Sequence, residues 1–179
     1  MRCSLRLVSV AVVAAAALAA PVAASAAPAS TTFAVRGHEY AFTPTIGFFA
    51  GTGAGNAGDA AVWNTYVEHD RLGSTPTYVT GGSFAMATRS PTGTLDHVRG
   101  TFVHQGGTIT TMNPGADCTN QQYRVTGALE NVATRTTTGG TGDVDVILTH
   151  FRARVLGRCI AYRATVVGTA SFRYEAPTV

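Results

Sequence analysis

The chain has 179 residues, with 13 basic side chains, all arginine, against 10 acidic ones. Two of the arginines, Arg2 and Arg6, belong to a leader, so the mature protein is close to neutral, which excludes a general polyanion binder such as a nucleic-acid protein. The roughly 150 residues that follow the leader suit a single domain with a real core.

Residues 1–26 read as a secretory signal peptide. The positive start is followed by an apolar, alanine-rich run from Leu7 to Ala20, and Ala24-Ser25-Ala26 supplies a small-x-small cleavage site. The run is too short to span a bilayer and Pro21 breaks it, so the mature chain is expected to start near Ala27, to be extracellular and not to be transmembrane. Cys3 leaves with the leader and lacks the flanking residues of a lipoprotein box. The absence of lysine reads as GC-rich codon usage, which together with the leader suggests an actinobacterial source. Residues 27–31 are expected to be a short flexible lead-in and 32–179 one domain.

No stretch after Pro28 has a useful helical period. Runs rich in Val, Thr, Tyr and Phe alternate with clusters of Gly, Pro, Asn, Asp and Ser, which predicts strands. They fall near 32–42, 45–51, 61–70, 77–88, 97–104, 107–112, 122–132, 143–156 and 159–174. Loops are predicted at Gly51–Asp59, Gly73–Pro76, Ser90–Leu95, Asn113–Thr119 and Thr136–Gly142. Whether 97–112 is two strands about Gln105-Gly106-Gly107 or one long bent strand stays open. Eight or nine sequential strands with short connections predict an all-β, antiparallel up-and-down barrel, with a sandwich as the alternative.

The last three strands can be read face by face. Tyr123, Val125, Gly127 and Leu129 share one side, and Ile160, Tyr162, Ala164, Val166, Gly168, Ala170, Phe172 and Tyr174 another, so both faces are expected to be buried. Gly157-Arg158 reads as a two-residue turn that places Val155 by Ile160. Carried on unbroken, that register would turn Asp145 inward. One extra residue at Thr149-His150 restores a consistent core, with Leu148 by Val166 and Val144 by Ala170, so a β-bulge is predicted there. Cys118 and Cys159 then lie at the same end, an even pair in an oxidising compartment, and are expected to form a disulfide.

No Gly-x-Ser-x-Gly elbow, His-Glu-x-x-His helix or phosphate-binding loop is present. The five histidines are scattered without metal-ligand spacing, so no metal site and no cofactor are expected. His104 shares a strand face with Val98, Gly100 and Phe102 and is expected inward, either as a hydrogen-bonded core histidine or as a catalytic group. His150, at the predicted bulge, is the second candidate, since a bulge re-aims its side chain. Arg124, Arg152, Arg154, Arg158 and Arg163 gather at the cysteine end of three strands, with Arg152 opposite Arg163. They are either solvated surface or a patch for an anionic envelope component.

Gly106-Gly107-Thr108-Ile109-Thr110, Tyr123-Arg124-Val125-Thr126-Gly127, Leu148-Thr149-His150-Phe151-Arg152 and Gly157-Arg158-Cys159 resemble segments of uncharacterised secreted actinobacterial all-β proteins, which have no established activity to carry over. In architecture the chain also looks like the barrels of dirigent proteins and allene oxide cyclases, a likeness of fold alone. The function expected is a secreted, non-catalytic barrel that binds a small apolar ligand or an envelope component. The alternative is a small cyclase or isomerase in which His104, Tyr123, Tyr162 and Tyr174 supply acid–base groups.

Overall fold

The computed structural model describes residues 29–73, 76–113 and 118–174, and none of these is helical. The expected leader with its cleavage site, and Cys3, lie outside the described residues. Period-two alternation builds nine strands: β1 (Ala29–Thr43), β2 (Ile46–Gly55), β3 (Ala60–His69), β4 (Thr77–Arg89), β5 (Leu95–Phe102), β6 (Thr108–Asn113), β7 (Gln121–Ala133), β8 (Gly140–Val155) and β9 (Arg158–Tyr174). Apart from β5 and β6, which both pair with β4 and β7, strands adjacent in sequence pair antiparallel, and β9 returns to β1, closing an eight-position barrel with one strand to spare. β1 begins at Ala29, so residues 29–31 are strand paired with β9 and not a loose lead-in.

The spare strand answers the question left open at 97–112. β4 pairs with β5 through Ser83–Arg89 and with β6 through Thr77 and Tyr78, and β7 also pairs with both. β5 and β6 therefore run the same way at one barrel position, as a single strand interrupted by a turn. In that turn the Gly106 N–H donates to the Val103 carbonyl, and Gln105 adopts a φ of 57°.

The inward faces meet in one apolar core. Phe172 is fully buried between Phe33 and Phe84, with ring centroids 6.1 and 5.3 Å away. Each such side chain contributes about 1.5–3 kcal/mol through burial. The predicted loop from Gly51 to Asp59 is corrected, because β2 runs on to Gly55. Gly51 and Gly37 are opposite one another, and the Trp63 indole packs over Gly37 where a Cβ would come within 2.6 Å of it. Gly37 makes room for a large ring, while Gly51, where a Cβ would meet the Arg36 carbonyl, lets the two backbones approach closely, and neither makes a turn.

The β8–β9 hairpin corrects a second expectation. Leu148 does pair with Val166 and Val144 with Ala170, but Val155 pairs with Arg158 and not with Ile160. The turn is Leu156-Gly157, both with positive φ (49° and 77°), as a type I′ turn requires. The compensating irregularity consequently falls between Phe151 and Arg152, and the extra residue is Tyr162 on β9 instead of one on β8. Beyond His150 and Ala164 the two strands pair only with each other. Ile160 and Tyr162, expected inside, are 44 and 64 % exposed on this projecting hairpin.

Candidate functional site at the barrel mouth

Parity along β8 sets His150 on the inward face with Val146 and Leu148, and parity along β1 sets Glu39 there with Phe33 and Val35. β9 lies between these strands, and the residue opposite His150 is Ala164. Its methyl group leaves space for the longer side chains to meet across it. Nε2 of His150 donates to Oε2 of Glu39 at 2.9 Å, and the two side chains are only 16 and 6 % exposed. Gly47 completes the cradle, since a Cβ there would stand 2.8 Å from Oε1 of Glu39 and 2.6 Å from the Phe49 ring.

Tyr123 reaches the same place from β7. It pairs with Leu148, two residues from His150 on the same face, and its ring meets the imidazole edge-on at 5.5 Å. Burial pushes its phenol above the ordinary range; nearby Arg152 opposes this and the Glu39 carboxylate adds to it. The hydroxyl is therefore held neutral, as a hydrogen-bond donor. Arg152 shares the strand face of His150 and donates from Nη1 to Oε1 of Gln121 at 3.4 Å.

Glu39, Tyr123, His150 and His69 line a cavity of about 50 Å³ whose rim carries the exposed Phe42 and Leu72. His69 is tied through Nδ1 to the Asp70 carbonyl at 2.7 Å. A second cavity of about 50 Å³ lies deeper in the barrel, lined almost wholly by apolar side chains that include Trp63, Phe84 and Val166. The two share Phe49, Val67, Val125 and Leu148, so the polar mouth stands directly over an apolar interior. Each volume exceeds the roughly 10–15 Å³ that one water needs. The arrangement can hold a small apolar molecule by its body and address a polar end with a donor, an imidazole and a carboxylate.

The sequence-level candidates divide. His150 is in the site, and Tyr123 with it. His104 is exposed, not inward: β5 ends at Phe102 and the turn lifts the ring out, where Nδ1 meets the Thr80 carbonyl at 2.8 Å. Tyr162 is on the projecting hairpin, and Tyr174 lies at the far end of β9 beside Phe172. Burial, reinforced by Asp96, drives the Tyr174 phenol strongly upward. Glu39 and His69 were not singled out as a pair with His150. Glu39 had a signal, since its position continues the inward parity of Phe33 and Val35 as a charge on an apolar face.

The five arginines do not form one patch. Arg124 donates to both carboxylate oxygens of Asp145, at 3.0 and 2.6 Å, which holds that acid below its usual range and the guanidinium above its own. Arg163 pairs with Phe151, its guanidinium 5.7 Å over that ring, while Arg152 pairs with Ala161. The expected Arg152–Arg163 opposition is thus corrected by the shifted register, which puts them on opposite faces. Arg154 pairs with Cys159 and Arg158 with Val155 near the hairpin tip. Cys118 and Cys159 form the expected disulfide, with Cα atoms 5.4 Å apart. Among the described residues no three His, Cys, Asp or Glu side chains are grouped to hold a metal ion, and no helix is long and apolar enough to cross a membrane. No protein-family model, curated protein or solved structure matches the chain.

Proposed function

We propose that this is a secreted barrel that binds a small, largely apolar molecule, with the ligand's polar end at Glu39, Tyr123 and His150. The observation that carries this reading is the buried Glu39–His150 pair placed over an apolar cavity. Burying a carboxylate costs several kcal/mol even when it is paired, and an apolar side chain of similar size would serve packing as well. A ligand-facing role accounts for that cost. The divergence of the arginines favours this internal site over a surface for anionic polymers. The reading of residues 1–26 as a leader supports secretion, and so does a disulfide that persists best in an oxidising compartment.

Trp63 is the single tryptophan of the chain and lines the inner cavity, so it reports occupancy directly. Titration with 2-cyclohexenone, an apolar ring with one carbonyl, should change Trp63 emission saturably and raise the melting temperature. Ala170, 1 % exposed and lining the cavity, is the place to fill it. Ala170→Leu should abolish the saturable response. A strictly linear response in the wild-type protein, equal to that of free tryptophan, would overturn the proposal.

A further inference from the structure

We infer that the mouth is an acid–base catalytic site: His150 takes a carbon-bound proton from the ligand, Tyr123 donates a hydrogen bond to the oxygen that gains charge, and Glu39 holds the imidazole. The inference rests on the ligand-binding reading above and extends it to an activity, with enolisable ketones as the substrate class.

The geometry assigns each role. A carboxylate only accepts hydrogen bonds, so the bond at 2.9 Å places the proton of a neutral imidazole on Nε2 and leaves the lone pair on Nδ1. Glu39 is thereby a positioning residue: it selects the tautomer and stabilises the imidazolium that proton transfer creates. Tyr123 contacts the imidazole ring and is kept as a neutral phenol by its surroundings, the state in which it can donate. The apolar floor of Phe49, Val67, Val125 and Leu148 strengthens these interactions by excluding water. Each of the three polar side chains comes from a different strand, β1, β7 or β8, and all three converge on one cavity.

With a β,γ-unsaturated ketone the step balances without any oxidant or reductant. Nδ1 of His150 accepts the proton from the carbon between the carbonyl and the alkene. The C–H electron pair forms a new C=C bond, and the carbonyl π pair moves to oxygen, where the Tyr123 hydroxyl stabilises it. The proton then returns from His150 to the γ carbon as the carbonyl re-forms, and the double bond ends conjugated.

A substrate-independent probe tests the base. 5-Nitrobenzisoxazole loses its C3 proton to a base, the C–H pair forms a nitrile, and the N–O bond breaks with its pair going to a coloured phenolate. The nitro group also quenches Trp63, so binding and turnover are read in one cuvette. We expect saturable quenching and turnover above that of the same concentration of free imidazole. His150→Gln and the isosteric Glu39→Gln should each lose about 100-fold or more in rate while quenching persists. Tyr123→Phe should lower the rate with binding retained, and His104→Ala, at an exposed turn, should change neither. Persistent quenching also shows that each variant is folded. Saturable quenching with no turnover above imidazole, or turnover unaffected by Glu39→Gln and His150→Gln, would overturn the catalytic inference and leave the binding proposal standing. No saturable quenching would overturn both for this class of ring.

Discussion

Two tyrosines on the inward side carry phenols displaced upward by burial, Tyr123 at the mouth and Tyr174 at the opposite end. A group whose folded pKa is raised stabilises the fold fully below its unfolded value, near 10 for tyrosine, and loses that contribution as pH climbs through the folded value. Urea unfolding should therefore show stability falling above about pH 10. The double variant Tyr123→Phe/Tyr174→Phe should flatten that decline, and an unchanged decline would assign it to other groups. The candidate site was only half legible at this scale. His150 stood out through its place near an expected bulge, although the irregularity lies a residue further along, at Phe151/Arg152. Glu39 did not stand out, because nothing in its neighbours announces a partner 111 residues away. Such a pairing is made by barrel closure, and only the parity of Phe33, Val35 and Glu39 on β1 foreshadows it.

At the scale of elements, period two was enough to locate the strands but not to decide whether 97–112 is one strand or two. What it could not supply was the order of small displacements. At Gly51–Gly55 glycine reads as a loop signal, whereas in the sheet Gly51 lets the Arg36 carbonyl of β1 approach and Gly55 faces the Phe33 ring, and the two uses look alike without the partner strand. At the β8–β9 hairpin, Gly157 can occupy either central position of a tight turn. The structure sets it second, and Leu156 must then take a positive φ while 98 % exposed. A left-handed conformation costs a non-glycine residue about 1–2 kcal/mol, and asparagine tolerates it best. Leu156→Asn should accordingly raise the unfolding free energy by about 1 kcal/mol in chemical denaturation. A loss of stability would mean that the leucine side chain makes a contact worth more than the strain.

The molecule as a whole is held at one end by the Cys118–Cys159 bridge, which spans 41 residues and ties the connection before β7 to the projecting hairpin near its tip. Loop closure of this length is worth about 4 kcal/mol in the chain-entropy model. Reduction, or the double variant Cys118→Ala/Cys159→Ala, should lower stability by about that amount in urea titrations. A negligible change would show that the unfolded chain is already compact around the bridge. The other fastening is the seam between β1 and β9, where Ala29 meets Tyr174 and His38 meets Thr165. Those contacts join strands at the two ends of the described chain, the most distant pairing it makes and the slowest kind to form. Time thus enters the design. Until the last strand arrives there is no inside, Glu39 has no histidine to meet, and a waiting ligand finds only a curved open sheet.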